Sequence, residues 1–255
     1  MDFFHIIYFK YHIINSGDIM YIFLNRKKII TGCLISAFLG TAVGVILVFS
    51  SYADTSHQNK PLSVIVDAGH GLPDGGAVGI NGTVEQEINI SIAQKLSEVL
   101  EAKNIGVIMT RTDESGIWSE KSSTIREKKV EDMYNRLKIM KKSDADVFIS
   151  IHMNSFPDRS ATGLRIFYSP EFEEIKPLAE NIQLRMSDIT GAKMNVVKAA
   201  DSKLFLMKKA PLPAILVECG FLSNPKEEKK LTEEDYQARL AWAIADAVEK
   251  YYSLP

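Results

Sequence analysis

Two histidines, His70 and His152, and two glutamates, Glu85 and Glu218, are the side chains whose types and surroundings suit metal-assisted hydrolysis. Of the five histidines, His5, His12 and His57 lie in the first 61 residues, which read differently from the rest. His70 follows an apolar run in Asp67-Ala68-Gly69-His70-Gly71, where the flanking glycines let the backbone turn sharply and expose the imidazole. His152 closes another such run, in Ser150-Ile151-His152-Met153-Asn154. A single histidine is more often a hydrogen-bonded structural residue than a ligand. The shared placement of these two at strand ends points to a metal. A catalytic zinc takes three protein ligands and keeps one position for water, so two imidazoles call for one acidic partner. Glu85 leads, in the first turn of a helix after a glycine-rich loop, where the positive helix end favours an ionised carboxylate. Glu87 competes, but it points about 200° away on the same helix and reads better as an exposed acid.

Glu218 sits inside the apolar run Ala214-Ile215-Leu216-Val217-Glu218-Cys219-Gly220-Phe221. A carboxylate there is costly unless it is paired or linked to a metal. A buried ion pair is the plain alternative. As a functional group it would take a proton from water and return it to a leaving amine. Cys219 beside it reads as a buried structural thiol in preference to a nucleophile. Other chemistries find no support: there is no Gly-x-Ser-x-Gly elbow, no phosphate-binding Gly-x-x-x-x-Gly-Lys-Ser/Thr loop and no CxxC pair. Gly75, Gly76 and Gly79 lack the G-x-G-x-x-G register of a dinucleotide loop.

The elements that must position these groups follow from periodicity. Strands are expected at 62–67, 105–110, 146–151, 163–168 and 214–219, mostly continuous apolar runs of the kind found where both sheet faces are covered. Ile88, Ile92, Leu96 and Leu100 recur every four residues on one helix, which Thr83 and Gln86 would open as a capping box. Further helices are expected near 124–142 and 175–189, and a last one at about 233–252, started by Thr232 with Asp235 and burying Tyr236, Leu240, Ile244 and Val248. Lys226 to Lys230 reads as a solvated loop or helix start. Alternating strands and helices predict an α/β fold, a single domain with a mixed, mostly parallel sheet flanked by helices, with its chemistry beyond the carboxyl ends of the strands.

The 255 residues, 46% hydrophobic and 24% charged, suffice for one substantial core behind a leader. Residues 29–50 carry no charge, follow Arg26, Lys27 and Lys28, and are long enough to span a bilayer as a helix. Positive charge before them and Asp54 after them predict an N-terminus inside and the domain outside. Ser51 and Ala53 also suit signal-peptide cleavage, so an N-terminal membrane-spanning or signal helix is expected, within a leader of residues 1–53. Residues 1–19 are apolar but interrupted, which makes Met20 an alternative start. A polar linker covers 54–61 and the catalytic domain 62–252. With only Cys33 and Cys219, no disulfide framework is available. A net charge of -2 and no basic stripe exclude nucleic acid as a partner.

Together, Asp67-Ala68-Gly69-His70-Gly71, Asn81-Gly82 with Glu85 and Asn89, Ser150-Ile151-His152-Met153-Asn154, and Val217-Glu218-Cys219-Gly220-Phe221-Leu222-Ser223-Asn224 resemble the four signatures of the zinc N-acetylmuramoyl-L-alanine amidase family, the Amidase_3 type. The resemblance spans about residues 62–252. It implies one catalytic zinc held by His70, Glu85 and His152, with Glu218 as catalytic carboxylate. The implied reaction is hydrolysis of the amide between the lactyl group of N-acetylmuramic acid and L-alanine in peptidoglycan. Ala68 and Leu72 stand where the family more usually has proline and glycine, and no ligand is lost. A bare catalytic domain behind a leader is similar to the germination-specific amidases of spore-forming bacteria, which strip stem peptides from cortex peptidoglycan so that muramic-δ-lactam can form. That likeness implies action in the space around the developing spore, attachment to the cytoplasmic membrane if the leader is retained, and in some lineages a membrane or lipoprotein activator. Asn154 is a candidate to orient substrate or a group behind His152, and Arg136 a candidate to bind a substrate carboxylate; a capping asparagine and a solvated arginine are the ordinary readings. A zinc peptidase acting within stem peptides and an inactive wall-binding module are the alternatives.

Overall fold

The computed structural model describes residues 7–11, 20–24 and 60–253. Contacts divide the chain into residues 1–60 and 61–255. In the first unit, β1 (Ile7–Tyr11) and β2 (Met20–Leu24) pair antiparallel, Ile7 opposite Leu24. The apolar span at 29–50 and the linker up to residue 59 lie outside the described residues. Among the described residues, no helix is long and apolar enough to cross a membrane.

The second unit is built on a six-stranded sheet in the order β4-β3-β5-β8-β6-β7. Its strands are β3 (Ser63–Ala68), β4 (Gly106–Met109), β5 (Val147–Asn154), β6 (Arg165–Tyr168), β7 (Lys198–Ala199) and β8 (Ala214–Phe221). β3, β4, β5 and β8 run parallel, while β6 pairs antiparallel with β8 and parallel with β7. The expected mixed, mostly parallel sheet is therefore present, with the short edge strand β7 added. Two residues carry too little periodicity to announce a strand.

Six helices cover the sheet: α1 (Glu85–Ala102), α2 (Ile125–Lys142), α3 (Lys176–Thr190), α4 (Phe205–Lys209), α5 (Pro225–Leu231) and α6 (Glu234–Ser253). On one face, Val64 and Val66 of β3, Ile149 and Ile151 of β5 and Val217 of β8 pack against α1, α3 and α6. Ile88, Ile92, Leu96 and Leu100 of α1 are buried here as their spacing predicts, each stabilising the fold by ~1.5–3 kcal/mol. The opposite face begins apolar, with Ile65, Phe148, Ala214 and Leu216 under Leu137 and Met140 of α2 and Met207 of α4. Along the same strands, two residues on, it turns polar: Asp67, then Ser150 and His152, then Glu218. Period-two alternation thus aims four polar side chains at one end of one face.

Two helix starts differ from expectation. The N-cap of α1 is Val84, with no side-chain cap. Thr83 instead bonds Glu228, and the first amides of the helix, Glu85 N–H and Gln86 N–H, donate to the carbonyls of Ala77 and Gly75. Thr232 does not open α6 but closes α5, its hydroxyl donating to Lys229 O. The Lys226–Lys230 stretch is helical because Asn224 caps it, accepting from the N–H groups of Lys226 and Glu227.

Candidate active site

The connection leaving β3 runs through α1 to β4 on one side, whereas β5 lies on the other, so a crevice opens beyond their carboxyl ends. His70 stands just past β3 and His152 within β5. Their rings meet edge to face with centroids 5.0 Å apart. His70 itself takes a left-handed backbone conformation, φ 60°, rare for a residue with a Cβ. The expected sharp turn is therefore made by the histidine as well as by Gly71 after it.

Glu85, the first residue of α1, lies between the two imidazoles. Its Oε1 is 3.0 Å from His152 Nδ1 and its Oε2 is 3.3 Å from His70 Nε2. The N–H groups of Met153 and Ala77 donate to the same oxygens, at 3.0 and 2.8 Å. Burial works against the Glu85 charge, but hydrogen bonds from His152 and His70 outweigh it and hold the carboxyl far below the usual range. Burial likewise opposes a charged His70, yet the carboxylates of Asp74 and Glu85 raise it to about 9. Glu87 is exposed and takes no part, as expected.

One ligand atom from each of His70, Glu85 and His152 falls within 4.8 Å of the others. Two imidazoles and a carboxylate form the donor set of a catalytic zinc site. Glycines make the space: a Cβ on Gly69 would lie 2.2 Å from His152 Nε2, and one on Gly76 would lie 2.5 Å from Glu85 Oε2.

Glu218 faces the same cavity from β8, directly beside His152 in register. The residue is half-buried, yet its Oε2 is shut off from solvent and has no hydrogen-bond partner among the described residues. Desolvation, with the Glu85 charge adding to it, outweighs the two imidazoles and pushes the carboxyl up to about 7. Among the described residues, the buried ion pair that would have explained this residue structurally is not formed. An orphaned carboxylate oxygen aimed at a metal-type cluster fits a site completed by a cation and its water. Cys219 points to the opposite core, 1% exposed, its thiol pushed up by burial.

The cavity, of about 320 Å³, has an apolar wall of Met133 from α2 and Leu204 to Met207 around α4. Asn154 ends β5 outside its lining, with its carbonyl accepting from Leu222 N–H. Arg136 is placed otherwise than expected. It is 2% exposed, and all five guanidinium donors are used internally: on Asp132, Asp67, Ala68 O and His70 O. None is left for a substrate carboxylate. Asp67 in turn accepts from Thr110 Oγ and Ser150 Oγ, at 2.6 and 2.5 Å, forming a fully engaged polar floor beneath His70. Sequence reasoning gave no role to Asp74, whose Oδ2 lies 3.0 Å from His70 Nδ1, or to Arg111, which donates to Ala68 O and Gly69 O. The arginine carried no signal, but a carboxylate four residues after a candidate ligand was a readable one.

The family model for N-acetylmuramoyl-L-alanine amidase, Amidase_3, matches residues 64–250. The germination-specific N-acetylmuramoyl-L-alanine amidase of Bacillus subtilis is 32% identical over 210 residues, covering 80% of this chain and 87% of that protein. Among solved structures, the CwlD amidase from Clostridioides difficile in complex with the GerS lipoprotein is similar with a TM-score of 0.73 and 38% identity, over 76% of this chain and 100% of that one. The catalytic domain of CwlV, an amidase from Bacillus (Paenibacillus) polymyxa, gives 0.65 and 30%, over 76% and 99%.

Proposed function

Because the chain belongs to the N-acetylmuramoyl-L-alanine amidase family, we propose that His70, Glu85 and His152 hold its catalytic zinc and that Glu218 moves the proton in its reaction. The enzyme hydrolyses the amide between the lactyl group of N-acetylmuramic acid and L-alanine, and acts on the wall outside the cytoplasm. Bound at these three side chains, zinc would supply Lewis acidity, making water more acidic and the scissile carbonyl more electrophilic.

The protein's own groups do the rest. Water adds to the lactyl carbonyl carbon as Glu218 takes its proton. The carbon–nitrogen bond then breaks, and Glu218 returns that proton to the departing amine of L-alanine. Glu218 suits both steps because burial raises its carboxyl to about 7 before a cation's charge lowers it again, which leaves it able to accept and then give. Its unpartnered buried oxygen beside His152 is the observation that carries this assignment. Met133 and the Leu204–Met207 segment wall the cavity on its apolar side.

The biological substrate we assign is spore-cortex peptidoglycan, with removal of stem peptides preceding muramic-δ-lactam formation. Support comes from the germination-specific relative and from the amidase whose structure was solved with a lipoprotein. On the same grounds a lipoprotein activator is proposed for this chain, and the apolar span 29–50 is proposed as its membrane anchor or cleaved signal.

Digestion of purified peptidoglycan with fragment analysis by mass spectrometry tests the chemistry. Peptides with free L-alanine amino termini are expected from the intact chain and not from Glu218→Gln. Cleavage only within stem peptides would mean a peptidase using the same side chains. Spores lacking the protein should contain no muramic-δ-lactam, and normal lactam would remove the cortex assignment.

A further inference from the structure

Helix α2 holds His70 from two directions. Lys129 and Arg136 stand seven residues apart, two turns along one helix face. Arg136, buried, donates to the main-chain carbonyl of His70. Lys129 Nζ reaches Asp74 Oδ2 at 2.9 Å, the same oxygen that lies 3.0 Å from His70 Nδ1. A continuous chain of charge and hydrogen bonds thus runs Lys129, Asp74, His70, Glu85, with only the last two among the candidate ligands.

We propose that Lys129 is a positioning residue for the metal site: it pins the Asp74 carboxylate against His70 Nδ1, which fixes the ring and turns Nε2 toward Glu85. The inference rests on the reading of His70, Glu85 and His152 as ligands, and goes beyond it by assigning the groups that pre-set one of them.

The need for such a device is local. His70 sits in a backbone conformation that resists a side chain, in a loop of glycines. A ring in that position can rotate about its side-chain bonds, and a hydrogen bond at the second nitrogen restrains it. Asp74 supplies that bond, but it is itself a loop residue, 22% exposed. Lys129 ties it to a helix. The lysine is 49% exposed, so the ion pair adds little to folding stability. What the contact controls is where Asp74 points.

Zinc affinity, measured by competition with a chromophoric chelator, reads this directly. Lys129→Met should weaken zinc binding about tenfold, the lower end for loss of a group that orients a ligand. Lys129→Arg should restore binding to within about threefold, since it can still reach Asp74. Asp74→Asn should lose at least as much as Lys129→Met, and adding Lys129→Met to Asp74→Asn should cost little more, because the lysine acts through the carboxylate. The thermal midpoints of all variants without metal should stay close to that of the parent. Lys129→Met with parental zinc affinity would overturn the proposal, as would parental affinity with a raised KM for peptidoglycan, which would make Lys129 a substrate contact. A parent chain that takes up no zinc would instead overturn the ligand assignment itself, and the inference with it.

Discussion

His152 and Glu218 are register partners on the adjacent parallel strands β5 and β8. Their separation is therefore fixed by the sheet, not by a loop, and the group that would hold a cation is locked beside the group that would move a proton. Sheet-mounted side chains of this kind keep their spacing when surrounding loops shift.

Glu218→Gln preserves shape and removes basicity. The turnover of peptidoglycan should fall by about 10²- to 10⁴-fold with zinc affinity unchanged. A base must be unprotonated to act, and a bound cation lowers the Glu218 value from about 7. The acid limb of kcat/KM should thus lie below pH 7, with the rate falling as pH falls through it. A variant as active as the parent, with the same limb, would exclude Glu218 as the base.

Gly69→Ala places a methyl carbon 2.2 Å from His152 Nε2, far inside contact distance. The imidazole must move, and a displacement of about 1 Å at a reacting centre costs on the order of 10²-fold in rate. The expected result is loss of activity and zinc affinity with a preserved circular dichroism spectrum. Normal activity would mean that His152 is not held as described.

Arg136→Met strands the buried Asp67 carboxylate without its cation, and should destabilise the domain by ~3–5 kcal/mol in urea unfolding. Burial tends to raise the Asp67 pKa, but Arg136, Ser150 and Thr110 overcome it and hold the group below its usual value. A depressed carboxylate contributes stability above its unfolded value of about 3.9, and that contribution is lost as pH falls further. The urea midpoint of the parent should accordingly drop below about pH 4, and more steeply than that of Asp67→Asn. Equal slopes would show that another carboxylate controls acid unfolding.

Cys219, buried in the core opposite the cavity, should resist iodoacetamide in the native protein and react fully after denaturation. Stoichiometric labelling of active enzyme would contradict its placement.

How far the sequence could be read depended on the kind of signal. Continuous apolar runs located β3, β5 and β8 to within a few residues, and four-residue spacing located α1, because burial imposes those patterns on the chain itself. Of the four candidate site residues, His70 and His152 followed from strand ends, Glu85 from the first turn of a helix, and Glu218 from a charge out of place in an apolar run. Caps were harder. Thr83 and Gln86 had the right types for a capping box, but Thr83 is claimed by Glu228, nearly 150 residues away, a competition that no local pattern records. The internal partners of Arg136 were illegible for the same reason: a helical arginine looks solvated until Asp67 and the carbonyls of Ala68 and His70 are brought to it by the fold.

Glu228 has a wider consequence. It is buried on α5 and accepts from both Asn81 N–H and Asn81 Nδ2, closing the loop that leads into Glu85. Residue 81 leaves the ribosome long before residue 228 does. A nascent chain therefore carries the loop of the candidate ligands without the carboxylate that fastens it, and Glu218, the proposed proton carrier, also arrives late. A wall hydrolase that works as proposed would be inert through most of its own synthesis and would acquire its cutting edge only when nearly the whole domain has been translated.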